Sequence, residues 1–121
     1  MTVSLGHITF DCRDAVALAG FWAQALGRPV DDGAQPFFAT IGYPATPERP
    51  AWLFLGVPEG KTAKNRMHLD LAADPESGGR EAEVQRLVAL GATHIDIGQG
   101  TPSWVVLADP EGNEFCVLRS R

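Results

Sequence analysis

Cysteine is scarce in this chain: Cys12 and Cys116 are the only two in 121 residues, and they form no CxxC pair. The sequence therefore offers two thiols, or two small buried apolar residues, in place of a disulfide framework. Long apolar runs are also missing. None approaches the ~20 residues a membrane-spanning helix needs, so no membrane partner is expected. Basic residues are outnumbered, 10 Lys+Arg against 15 Asp+Glu, for a net charge of -5. That balance argues against nucleic acid held through its phosphates. The opening stretch, Met1 to His7, has no basic segment leading into an apolar one, so no secretory signal is read and a cytoplasmic location is expected. Nor is there a Ser-His-Asp ordering or a glycine-rich phosphate loop. Covalent nucleophile chemistry has no support beyond Cys116.

What is present is globular composition, 45% hydrophobic and 21% charged, enough for one domain. That domain contains a repeat. His7-Ile-Thr-Phe-Asp11 has the pattern of His68-Leu-Asp-Leu71, and Ala25-Leu26-Gly27 recurs as Ala89-Leu90-Gly91, each about half a chain further on. Each half reads in the same order: a His-bearing alternating strand, a helix closed by Leu-Gly, then more strands. In the first half, strands are read over Val3 to Cys12, Phe37 to Ile41 and Trp52 to Val57. Its helix is capped by Asp14 and stopped by Gly27 and Pro29. In the second half, strands are read over Arg66 to Ala72, Thr93 to Ile97, Trp104 to Ala108 and Asn113 to Arg119, with a helix from Gly79 to Leu90. Pro110 and Gly112 set a turn between the last two strands. The expected fold class is α+β: two βαβββ modules, about 1–60 and 61–121, forming one domain with a curved mixed sheet, helices outside and a concave cup for a ligand.

Strand alternation sorts the side chains by face. Ile8 and Phe10 fall on the helix side of the first strand, leaving Leu5, His7, Thr9 and Asp11 on the inner face. Met67, Leu69 and Leu71 are assigned to the helix side, and Arg66, His68 and Asp70 to the inner face. Phe115 and Val117 go under the helix, and Glu114, Cys116 and Leu118 face inward. The repeat maps Cys116 onto Leu55. Two imidazoles from matching strands allow two readings: ligands of a divalent metal, or hydrogen-bonded cavity residues paired with Asp70 or Asp11. Trp22 is read as core and Trp104 as a pocket-lining strand residue.

Gly6-His7-Ile-Thr-Phe, Phe21-Trp22, Ala25-Leu-Gly27, Lys64-Asn-Arg-Met-His-Leu-Asp-Leu71, Arg86-Leu-Val-Ala-Leu-Gly-Ala92 and Asp109-Pro-Glu-Gly-Asn-Glu-Phe-Cys-Val-Leu118 together give a close family likeness. The chain resembles the glyoxalase, bleomycin-resistance and extradiol-dioxygenase superfamily, the vicinal oxygen chelate proteins, and within it the small glyoxalase-like domain proteins. The resemblance implies a small-molecule ligand, a homodimer, and a divalent metal (zinc, iron or nickel) in those members that keep a His/Glu ligand set. Here His7 and His68 match the first-strand ligand positions, while Leu55 and Cys116 stand where carboxylates are expected. Two functions follow. One is small-molecule binding in the cup by His7, His68, Leu55, Cys116, Arg66 and Trp104. The other is a metal-dependent lyase, isomerase or dioxygenase, with His7, His68 and Cys116 on the metal and Glu114 as the general base.

Overall fold

The structure, a computed structural model, describes residues 2–95 and 105–118. It divides into two units, Met1–Gly60 and Lys61–Arg121, at the join the repeat marks. Both are α+β, and each builds its sheet on the same plan.

In the first unit the elements run β1 (His7–Cys12), α1 (Ala15–Leu26), β2 (Phe38–Ile41) and β3 (Ala51–Gly56). The sheet order is β1-β3-β2, with β1 parallel and β2 antiparallel to β3. The Asp14 carboxylate accepts the Ala17 amide at 3.2 Å and starts α1, satisfying a backbone donor that the first helical turn leaves unpaired. Gly27 ends the helix at φ 66°, where a side chain is disfavoured. Ala15, Leu18, Ala19 and Trp22 are fully buried along one stripe of α1. They meet the face of the sheet that carries Phe10, Trp52 and Phe54, and the Phe10 ring lies 5.7 Å from Trp22 and 5.3 Å from Phe54. The other face holds His7, Thr9 and Asp11, all exposed, beside half-buried Leu53 and Leu55. The first strand is shorter than Val3 to Cys12. Its pairing begins where Ala51 donates to the Gly6 carbonyl, and Val3 before it is exposed, because β3 supplies no partner further back. Phe37 is likewise left outside β2 and exposed. Its backbone packs against Gly56 so closely that a Cβ on Gly56 would meet the Phe37 Cα at 2.8 Å.

In the second unit the order is β4 (Asp70–Ala72), a 3-10 turn at Pro75–Ser77, α2 (Gly79–Leu90), β5 (Thr93–His94), β6 (Val105–Ala108) and β7 (Glu114–Leu118). The sheet runs β4-β7-β6-β5, with β4 parallel to β7 and the other neighbours antiparallel. This unit is the full βαβββ pattern. In the first unit the stretch corresponding to β5 is tied to β2 by the backbone hydrogen bond from Asp31 N to Thr40 O at 2.9 Å. Val84 and Leu87 of α2, and Phe115 and Val117 of β7, are buried. The opening strand is three residues long, not the seven read from the sequence: its ladder with β7 begins with Asp70 opposite Cys116, and the Leu69 carbonyl accepts the Cys116 amide at 2.8 Å. Met67 consequently does not lie under a helix and is 89% exposed. No helix among the described residues is long and apolar enough to cross a membrane.

Candidate functional site

Register places the chemistry of the second unit. Asp70 is the in-register partner of Cys116, and His68 precedes Asp70 by two residues, so all three side chains project to the helix-free side. The His68 Nδ1 lies 3.6 Å from Asp70 Oδ1 and 3.8 Å from the Cys116 Sγ. Each of the three residues offers one ligand atom to a group whose members all lie within 4.8 Å of one another. Cys116 is buried, whereas the His68 and Asp70 side chains are 38% and 53% exposed, so the group opens to solvent. Burial pushes the Cys116 thiol up from its ordinary value, and the Asp70 carboxylate adds to this, with a smaller opposing effect from Lys64. Imidazole nitrogen, carboxylate oxygen and sulfur form a donor set suited to zinc and similar borderline-soft divalent ions. The sequence reading placed Asp70 on this face without making it a ligand. The His-x-Asp spacing on one strand was the available signal.

Glu114 is held. Lys61 Nζ lies 3.0 Å from its Oε1, the Asn65 amide donates to the same oxygen at 3.0 Å, and the Asn65 side chain donates to the Glu114 carbonyl at 3.3 Å. Burial pushes this carboxyl up, but the Asn65 and Lys61 hydrogen bonds outweigh it and hold Glu114 below the usual carboxylate range. Its cationic partner is Lys61, and Arg66 is exposed. Lys61 and Asn65 come from a loop, where strand alternation gives no indication of facing.

In the first unit His7 lies on the exposed face of β1 with its ring 5.8 Å from that of Tyr43, a residue the sequence reading passed over. Asp31 fixes the backbone that carries Tyr43. Its Oδ2 accepts from Thr40 Oγ1 at 2.6 Å and the Tyr43 amide at 2.9 Å, and its Oδ1 accepts from the Gly42 amide at 3.2 Å. Burial raises the Asp31 carboxyl, but these bonds and the Arg28 charge outweigh it, so its pKa is lowered. A group ionised more readily in the folded chain stabilises it above the unfolded pKa, and the gain is lost as pH falls through the folded pKa. Asp31→Asn is therefore expected to lose about 1–2 kcal/mol at pH 7. In urea unfolding the gap from wild type should persist through pH 5 and close as pH falls through the lowered pKa of Asp31. A gap that is the same at pH 3 and pH 7 would contradict this.

Leu55 pairs with Asp11 and Phe38, so its side chain shares the face of His7. Register gives a different counterpart for Cys116, however. As Cys116 faces Asp70, two residues after His68, so Leu53 faces Thr9, two residues after His7. Leu53 therefore occupies the matching position, and the first unit offers His, Thr and Leu where the second offers His, Asp and Cys. Trp104 lies outside the described residues.

Solved structures share this architecture at low sequence identity. A glyoxalase/bleomycin resistance protein/dioxygenase family enzyme from Burkholderia phytofirmans PsJN superposes with TM-score 0.71 at 22% identity, over 95% of this chain and 97% of that one. The oxidase ChaP-H2 gives 0.68 at 21% identity, over 100% and 95%. The fosfomycin resistance protein FosX from Mesorhizobium loti gives 0.64 at 15% identity, over 98% and 92%. No curated protein matches the sequence. Residues 7–118 match the glyoxalase-like domain family, and the chain belongs to it, within the vicinal oxygen chelate superfamily.

Proposed function

We infer that this glyoxalase-like protein binds a small, partly apolar molecule through the helix-free faces of its sheets. The observation that carries the reading is the composition of the first unit's open face: exposed His7, Thr9 and Asp11, with Tyr43 beside His7, next to half-buried Leu53 and Leu55. Apolar area supplies affinity and a few polar groups fix orientation, which is the usual character of a ligand surface. One structural neighbour is named for resistance to fosfomycin, a small molecule.

Binding is favoured over proton transfer by Glu114 because the Glu114 carboxylate is already engaged by Lys61 and the Asn65 amide. A general base must reach the proton it removes with a free lone pair. The metal-dependent reading draws support from the second unit alone, where His68, Asp70 and Cys116 converge. A divalent ion held there supplies Lewis-acid polarisation of a ligand oxygen.

Fluorescence titration with 8-anilinonaphthalene-1-sulfonate, an apolar aromatic probe, tests the reading. One saturable site per chain is expected, with at least tenfold weaker binding in Leu55→Gln, about 1.4 kcal/mol. Equal affinity in wild type and variant would overturn the assignment of this face.

A further inference from the structure

We propose that the open face of the first unit selects organic cations, ammonium compounds with a flat apolar body, and that the Asp11 carboxylate is the residue that selects them. The proposal rests on the reading of that face as a small-molecule surface and names its ligand class.

Strand register places the groups. Asp11, Leu55 and Phe38 are partners across β1, β3 and β2, so their side chains stand in one row on the helix-free side. Adjacent strands lie about 4.8 Å apart, which sets Asp11 and Phe38 on either side of Leu55, roughly 10 Å from each other. The row runs from a carboxylate, over an aliphatic side chain, to a phenyl ring. Asp11 is exposed, Leu55 is half-buried and Phe38 is 38% exposed. Among the described residues no cation and no hydrogen-bond donor engages the Asp11 carboxylate. Other acids are occupied: Asp14 caps α1, Asp31 holds the Gly42 and Tyr43 amides, Glu83 meets Arg86, and Glu114 meets Lys61. Asp11 is therefore an unspent charge beside an apolar surface.

Charge and shape narrow the ligand. The one side chain of β1, β2 and β3 that can carry positive charge is His7. It stands four residues before Asp11, about 13 Å away along the strand, too far to neutralise it. The whole chain carries a net charge of -5, so its wider field also repels anions. An ammonium group beside Asp11 gains a charge-assisted hydrogen bond, while a flat apolar body laid along the row covers Leu55 and reaches Phe38. A carboxylate in the same place meets like charge and no donor. The second unit shows that the scaffold does not require this acid. Thr9 and Asp70 hold matching positions, so Asp11 corresponds to Ala72, which pairs with Leu118 as Asp11 pairs with Leu55. That pair carries no charge.

Full-length protein is titrated calorimetrically at low salt with 1-naphthylmethylammonium and with 1-naphthylacetate, which share a ring system and differ in the sign of their charge. The ammonium compound is expected to bind about fivefold tighter, the scale of one exposed charged contact, and the ratio should shrink as added salt screens it. Asp11→Asn should bring the two affinities within about twofold of each other, and Asp11→Glu should keep the preference. Glu81→Gln removes an exposed acid from α2 and should leave the ratio as in wild type. Asp11 is exposed, so its variants should match wild type by circular dichroism. Equal binding of the two ions by wild type overturns the proposal, as does a preference that survives Asp11→Asn. Leu55→Gln keeps the two failures apart. If it weakens both ions while wild type prefers neither, the face binds small molecules without selecting charge. If neither ion nor 8-anilinonaphthalene-1-sulfonate binds wild type saturably, the small-molecule reading falls and this proposal falls with it.

Discussion

Trp22→Ala is expected to destabilise the protein by about 3–5 kcal/mol, the range for truncating a buried aromatic side chain to alanine. Trp22 is fully buried on α1, with ring centroids 5.7 Å from Phe10, 5.3 Å from Phe21 and 5.3 Å from Trp52. Removing the indole deletes the ring contacts of the helix with Phe10 of β1 and Trp52 of β3. The rings around it are fixed by strand pairing and by one another, so they collapse only partly into the space. Domains are typically stable by about 5–15 kcal/mol, so this one change removes a large share of the total. A thermal midpoint lower by about 10–20 °C is expected for a chain of this size. Urea unfolding followed by circular dichroism checks it, and a loss under about 1 kcal/mol would show that Trp22 does not hold the helix to the sheet.

Asp109→Ala is expected to cost about 2–4 kcal/mol, although the residue sits in a turn. Asp109 is only 3% exposed. Its Oδ1 accepts the Glu111 amide at 2.9 Å and the Asn113 amide at 3.0 Å, and its Oδ2 accepts Asn113 Nδ2 at 3.0 Å. One carboxylate therefore satisfies three donors, and alanine leaves the two backbone amides without that acceptor in a partly buried turn. Hydrogen bonds to a charged acceptor contribute more than neutral ones, and an unmet buried donor costs its full desolvation. Asp109→Asn keeps one acceptor oxygen and should lose about half as much. Faster amide exchange at Glu111 and Asn113 should accompany the loss. An Asp109→Ala effect within about 0.5 kcal/mol, the range of ordinary surface changes, would refute the account.

Local signals made much of this fold legible. Asp14 and Gly27 bracket α1 as read, and α2 spans Gly79–Leu90 as read, because caps and stops act within one turn of the residues that carry them. Facing on β1 followed from alternation: His7, Thr9 and Asp11 are exposed while Phe10 packs on Trp22. What escaped the sequence depended on partners distant along the chain. The opening strand of the second unit begins only at Asp70, and nothing near Arg66 records how far its pairing with the distant β7 extends. Register likewise moved the counterpart of Cys116 from Leu55 to Leu53, since a constant repeat offset ignores loops of unequal length between strands. The Lys61 and Asn65 hold on Glu114 is a loop-to-strand contact with no periodicity to announce it.

The position of the closing strand in each unit bears on how the chain acquires its structure during synthesis. β3 lies between β1 and β2, and β7 lies between β4 and β6, so in both units the element made last occupies an interior place. A nascent chain that has emerged only as far as Ile41 has two strands and no ladder joining them. Once Gly56 is out, three strands can zip together at once, before any of the second unit has left the ribosome. Assembly in two successive cooperative steps follows, each waiting on a distant partner, and the waiting strands β1 and β4 are the ones whose edges need shielding until it arrives.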